Sequence, residues 1–156
     1  MSRNGRFRYP LEPVLLTRQW DLDALLLELN QANEALSKLR NECAAVQDKI
    51  DSCTGEWKNR ADTALTVDSF AVLTNYLQDL AKQRLRVEQE IAQQEQERDA
   101  LIERVVAARR GVDAVEQHRD EMKAEFVRQR LSQDFKLADD HWSTLQTRME
   151  KHDSQS

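Results

Sequence analysis

The chain has few of the residues that make turns. It contains three glycines and two prolines among 156 residues, and no proline follows Pro13. A β-rich or α/β domain needs many more turn formers. Aromatic side chains make up only 6 % of the sequence, too few for the thick core of a layered domain. Both shortages favour long helices with a narrow apolar seam.

The charge pattern excludes several kinds of partner. The formal net charge is -5, both signs are interspersed, and only the start, SRNGRFR, is locally basic. Nucleic acid is therefore not an expected partner, because binding it depends on clustered Lys and Arg. No secretory signal is recognisable, and no segment approaches the roughly 18 apolar residues of a membrane span. We expect a cytoplasmic protein with no direct membrane insertion.

The two cysteines do not predict a disulfide. Cys43 and Cys53 are ten residues apart. On one helix they would lie about 15 Å apart along the axis, too far to bond to each other. We interpret them as two small core residues.

A heptad repeat starts at Leu15 and runs over seven heptads without a slip. Residues 1–13 are predicted to form an extended lead-in, with helix 1 beginning near Pro13. Thirteen of the fifteen a and d positions are apolar, which is typical of a coiled coil. The a positions are Leu15, Leu22, Leu29, Leu36, Cys43, Ile50, Trp57 and Ala64. The d positions are Arg18, Leu25, Ala32, Leu39, Val46, Cys53 and Arg60.

A second repeat follows a break in the pattern at residues 62–66. Thr66 is predicted to cap a helix that begins at Val67, with Leu65 and Phe70 placed as a hydrophobic staple. The a positions are Phe70, Leu77, Arg84, Ile91, Arg98, Val105, Val112, Arg119 and Phe126. The d positions are Leu73, Leu80, Val87, Gln94, Leu101, Ala108, Val115, Met122 and Gln129. After Phe126 the register shifts to a stripe of Leu131, Phe135, Ala138, Trp142, Leu145 and Met149.

A short turn between two long helices makes them antiparallel neighbours. The sequence therefore predicts an all-α fold, a long antiparallel two-helix coiled-coil hairpin with helix 1 at about 14–62 and helix 2 at about 67–150. The hairpin forms a single domain over 14–150, and residues 151–156 are predicted to fray. Residues that face each other should have numbers summing to about 130. The predicted neighbours are Trp57 with Leu73, Glu28 with Arg104, Arg40 with Glu88, Arg98 with Ala32, and Arg119 with Glu12.

Residue patterns that carry chemistry are weak. His118, His141 and His152 have no metal-ligand spacing, and His118 is predicted to be a solvated side chain beside the seam. The stretch ADDHW at 138–142 directs its carboxylates and histidine to different sides of a helix. No glycine-rich phosphate loop exists. We expect no catalytic, metal-ligating or cofactor-binding residues, and no enzyme activity.

Apolar residues outside the seam carry more information. Leu16, Trp20 and Leu27 form a second apolar stripe on helix 1, and two interpretations remain open. The C-terminal stripe of Trp142, Leu145 and Met149 folds over it, or it is a docking face for another protein. Tyr76, beside the seam near the turn, is either packing or part of a contact patch.

The first residues of the chain and the start of helix 2 resemble a known family. FRYPLEPVLLTRQWDLDALLLEL and FAVLTNYLQDL are similar to the FliJ/YscO family, cytoplasmic stalk proteins of flagellar and injectisome type III secretion. The residues that carry the resemblance are Phe7, Leu11, Val14, Leu15, Arg18, Asp23 and Ala24. The three tryptophans and the tail differ from flagellar members, which favours an injectisome.

The resemblance implies partners and a role. Family members form an antiparallel two-helix coiled coil, insert into the hexameric export ATPase and promote its assembly. They link that ATPase to the cytoplasmic domain of the export gate, and they can bind export chaperones. By position, the gate contacts would be Phe70, Leu73, Tyr76, Leu77 and Leu80. The contacts to the ATPase would be Phe7, Leu16, Trp20, Leu27 and Trp142.

Two other functions fit a coiled coil. A prefoldin-like chaperone would hold unfolded clients without any ATPase. A parallel homodimeric structural coiled coil would place Cys43 and Cys53 near their symmetry mates. The stalk hypothesis instead predicts a monomer.

Overall fold

The computed structural model describes residues 5–60 and 67–155. These residues form two helices, α1 at Glu12–Arg60 and α2 at Val67–Asp153, and they include no strand. The predicted all-α fold, with two long helices packed against each other, is confirmed. The predicted turn at 62–66, including the Thr66 cap and Leu65 of the staple, lies outside the described residues.

The helix ends agree with the sequence to within three residues. Helix α1 begins two residues earlier than predicted, with Glu12 in its first turn, and the Glu12 N–H donates to the carbonyl oxygen of Tyr9 at 3.2 Å. Helix α2 begins at Val67 as predicted, with Asp68 in its first turn. It ends at Asp153 rather than at about 150, and its last turn carries basic side chains. These charges suit the helix dipole at both ends.

The chain divides into two compact units. The terminal unit comprises Met1–Trp20 and Arg109–Ser156, and the central unit comprises Asp21–Ala108. In the central unit, residue numbers on α2 fall as those on α1 rise, so the helices are antiparallel. The contacts that establish this direction are Glu28 with Arg104 at 3.9 Å, Gln47 with Arg84 at 2.8 Å, and the rings of Trp57 and Phe70 at 5.5 Å.

The core is the predicted seam. Every fully buried helical residue occupies an a or d position of the two heptad repeats. These residues are Leu15, Ala32, Leu36, Val46, Cys53, Leu80, Val87, Val105 and Val112. Burial of apolar side chains along this seam supplies the main stabilising term. Among the described residues, no polar or charged side chain is fully buried.

One predicted ion pair is confirmed and another is wrong. Glu28 pairs with Arg104 as expected. Arg40 pairs with Glu95 at 3.2 Å instead of Glu88, which lies 3.5 Å from Arg84 one turn earlier on its own helix. Glu95 lies one heptad beyond Glu88 on α2, so heptad position alone does not decide the partner of a long arginine side chain.

Arginines at seam positions find polar partners close by. Arg84 Nη1 donates to Gln47 Oε1 at 2.8 Å, across the two helices of the central unit. In the terminal unit Arg119 forms an ion pair with its neighbour Asp120 at 3.5 Å. Its charge is therefore paired with Asp120 and not with Glu12, its predicted neighbour. The Arg84 Nε atom is shielded from solvent, so only part of that guanidinium reaches the surface.

Neither helix of the described ranges has both the length and the apolar character that a membrane-spanning segment requires.

Candidate partner-binding surfaces

The lead-in packs against α2 within the terminal unit. Residues 5–9 have no regular secondary structure, yet Tyr9 is buried, with 8 % of its surface exposed. The Tyr9 hydroxyl and His118 Nδ1 share a hydrogen bond of 2.7 Å, and the same hydroxyl lies 3.5 Å from the carbonyl oxygen of Val115. His118 is exposed, as predicted, and its bond to the lead-in is what the sequence did not show. Sequence reasoning missed Tyr9 because it precedes the heptad repeat.

Phe7 continues the same packing. Its ring contacts that of Phe126, with centroids 5.6 Å apart and planes inclined by 51°. Gly5 lies farther along, in a groove that it lines with Phe126, Gln129 and other residues of α2. Phe7 thus has a partner inside the chain, and only its remaining exposed edge is available to another protein.

The other residues assigned to the ATPase are exposed. In the terminal unit, Leu16 is exposed on α1, and Trp20 and Trp142 have 67 % and 63 % of their surfaces exposed. In the central unit, Leu27 is also exposed. Large exposed aromatic and aliphatic side chains are the usual anchors of protein interfaces.

The C-terminal stripe does not fold over Leu16 and Trp20. Helix α2 continues without interruption to Asp153, and Trp142, Leu145 and Met149 are exposed on it. Of the two interpretations that the sequence left open, the structure favours exposed faces on both helices of the terminal unit. Each is available for docking.

The residues assigned to the gate fall into two groups. Leu80 is buried, and Leu73 and Leu77 are half-buried, because all three are seam residues that face α1. Phe70 and Tyr76 are exposed, although Phe70 also contacts the ring of Trp57. Of the five assigned residues, only these two are exposed, each by a little under half, and they define the candidate contact near the start of α2.

Two valines extend this contact and were missed from the sequence. Val67 and Val72 are strongly exposed, and Val72 lines a shallow groove together with Asp68, Ser69, Leu73 and Tyr76. The positions 69, 72, 73 and 76 share one side of a helix. Val72 occupies a c position, which faces away from the seam. An apolar residue at such a position could have indicated an exposed apolar surface from the sequence alone. We call the large exposed apolar residues of the first turns of α2, Val67, Phe70, Val72 and Tyr76, the α2-start patch; Val72 and Tyr76 share one side of the helix, and Val67 and Phe70 lie on another.

Within residues 5–60 and 67–155, no three His, Cys, Asp or Glu side chains are grouped to hold a metal ion. Cys43 and Cys53 are free thiols, the first half-buried and the second buried in the seam.

Comparison with known proteins gives one match. The model of the family described as Flagellar FliJ protein matches residues 7–151, nearly the whole chain. No curated protein and no solved structure matches.

Proposed function

Because the chain belongs to the flagellar FliJ protein family, we propose that it is a central stalk of flagellar type III export. It links the hexameric export ATPase to the cytoplasmic domain of the export gate, and it promotes assembly of the ATPase ring. It acts in the cytoplasm and performs no catalysis. The family match over residues 7–151 is the observation that carries this proposal.

The family description names the flagellar system. It does not support the preference for an injectisome that the tryptophans suggested, and no role in virulence is proposed. Binding of export chaperones belongs to the same proposal.

The distribution of apolar side chains supports a linking role. The seam buries nine a and d residues between α1 and α2 of one chain, and apolar residues at other heptad positions, such as Val72 and Trp20, are not needed for this packing. The α2-start patch belongs to the central unit and is assigned to the gate. Leu16, Trp20 and Trp142 belong to the terminal unit and are assigned to the ATPase, as is Leu27 of the central unit. Each of the two units carries exposed apolar residues, which suits a protein that binds two partners.

A binding assay with purified ATPase and gate domain tests the proposal. Tyr76→Ala should weaken binding to the gate, and Trp20→Ala should weaken binding to the ATPase, each roughly tenfold or more if the side chain is an interface anchor. Leu85→Ala is the matched control, because Leu85 is equally exposed but lies outside both surfaces.

Three outcomes separate the proposal from its alternatives. Selective loss by each variant supports it. Wild-type protein that binds neither partner contradicts it. Suppression of client aggregation without any binding to the ATPase would favour the prefoldin-like chaperone instead.

A further inference from the structure

The C-terminal part of α2 carries an apolar stripe that no described residue covers. Every residue from 127 to 155 is exposed. The stripe has the alternating four- and three-residue spacing of a coiled coil, and its members are Leu131, Phe135, Ala138, Trp142, Leu145 and Met149. A helix with one such face is half of a coiled coil.

The described part of the lead-in does not cover this stripe. Gly5 lies in a groove that it lines with Gln129, Gln133, Asp134 and Leu137 of α2. On a helix, positions 129, 133 and 137 point away from the side that carries Leu131 and Phe135, whereas Asp134 lies at the border between groove and stripe. The stripe is thus open in the terminal unit even with the lead-in packed.

We propose that, in protein that is not bound to the ATPase, a second copy of this chain covers the stripe in an antiparallel coiled coil centred near residue 140. Trp142 then leaves the dimer when the monomeric stalk contacts the ATPase. In this alignment facing residues have numbers that sum to 280, and each d residue meets an a residue of the other copy. The apolar pairs are Leu131 with Met149, Phe135 with Leu145, and Ala138 with Trp142, each formed twice. The stripe is therefore complementary to itself, with the largest side chain placed over the smallest.

The flanking charges favour the same alignment. Asp134 and Arg148 occupy g positions, and the antiparallel arrangement places each beside the other in the second copy, giving two opposite-charge pairs. Neither forms an ion pair with another described residue of its own chain. His141 would lie beside His141 of the second copy. Asp139, at an e position, would lie beside Asp139 of the second copy, and these two negative charges oppose association.

A parallel pairing fits less well. It would place Trp142 against Trp142 and leave two small Ala138 side chains facing each other, so the packing would alternate between crowding and a gap. It would also place Asp134 beside Asp139 twice, although Arg148 would then lie near Asp153. Size and charge together select the antiparallel direction.

Sedimentation of the full-length chain over a wide concentration range tests association. The wild type should form a reversible dimer, and Trp142→Ala should remain monomeric. Leu137→Ala is the matched control, because Leu137 is equally exposed on the same segment but lies off the stripe. These side chains are exposed in the monomer, so the variants should keep the helical circular dichroism of the wild type.

A charge exchange tests the alignment. Asp134→Arg or Arg148→Asp alone replaces two attractive pairs with two repulsive ones, and should weaken the dimer roughly tenfold. The double variant carries both changes and should recover wild-type association. A monomeric wild type overturns the proposal, and so does a double variant no stronger than the single variants.

Spin labels report the direction. In a background with Cys43 and Cys53 changed to alanine, a label on residue 139 should lie close to its mate. A label on residue 132 should lie about 20 Å farther from its mate along the helix axis. Equal short distances at both positions would indicate a parallel dimer and overturn the proposal. This test needs no ATPase or gate, so its failure is separate from that of the stalk function.

Discussion

Tyr9 offers the sharpest test of how the lead-in is held. Its hydroxyl bonds His118 Nδ1 at 2.7 Å and its ring is buried against α2. Tyr9→Phe removes the hydroxyl and keeps the ring, whereas Tyr9→Ala removes both. The pair of substitutions therefore separates the hydrogen bond from the packing.

The expected sizes differ enough to be distinguished. A hydrogen bond of this kind contributes about 1 kcal/mol, so Tyr9→Phe should raise the fraction of molecules with a detached lead-in about fivefold. Loss of a buried aromatic ring costs about 3–5 kcal/mol, so Tyr9→Ala should raise this fraction more than ~100-fold. The neighbouring contact between Phe7 and Phe126 opposes detachment equally in the wild type and in both variants, so it lowers the detached fraction and leaves these ratios unchanged.

Trypsin cleavage after Arg6 measures the detached fraction. Arg6 is exposed, but the backbone that a protease must bind is held by Phe7 and Tyr9. When opening and closing are fast relative to cleavage, the cleavage rate follows the open population. Each rate is divided by that of a peptide spanning residues 1–12 with the same substitution, because the change also alters the protease site.

The hydrogen bond itself is tested by a double-mutant cycle. His118→Ala should raise cleavage as Tyr9→Phe does, and the double variant should be less than additive by about 1 kcal/mol. Simple additivity would show that the two side chains do not interact. Equal cleavage of Tyr9→Ala and the wild type would refute the role of Tyr9 altogether.

Other predictions concern the stability of the helices. Leu36→Ala should lower the free energy of unfolding by about 2–5 kcal/mol in urea, because Leu36 is 1 % exposed, whereas Leu85→Ala at 56 % exposure should change it by less than about 0.5 kcal/mol. Gly55→Ala should raise the melting temperature, since a Cβ at this position meets nothing within 4 Å and alanine is the better helix former by about 0.5–1 kcal/mol. Glu95→Gln should cost less than about 1 kcal/mol, and less still at high salt, because its pair with Arg40 is about half exposed. An effect of Glu95→Gln as large as that of Leu36→Ala would contradict the view that the seam dominates.

The heptad repeat predicted which helical residues are buried. An a or d residue faces the partner helix whatever its chemistry, so the position of Cys53 or Ala32 was as informative as that of Leu36. The same rule explains why Leu80, assigned to the gate by its position in the chain, is buried in the seam. A residue that serves the seam has little surface left for a partner.

Contacts outside the repeat were not predictable in this way. Tyr9 and His118 are separated by 109 residues, and neither belongs to a pattern that links them. The Arg40–Glu95 pair was missed because a flexible side chain has several acidic residues within reach. Burial was predicted for side chains whose direction follows from the helix backbone. The partners of long, flexible side chains were not predicted, because several groups lie within their reach.

Arg18 and Gly111 have a consequence for alignment in the terminal unit. Arg18 Nη1 donates to the Gly111 carbonyl oxygen at 3.0 Å, and a Cβ at position 111 would lie 3.3 Å from the same nitrogen. Sliding α1 by one heptad would place Arg18 opposite Arg104 or His118. Each of these has a large basic side chain that would hinder access of Arg18 to the backbone carbonyl oxygen. A regular apolar repeat tolerates such slips. The hydrogen bond between Arg18 and Gly111 forms in only one register, and it therefore favours that register.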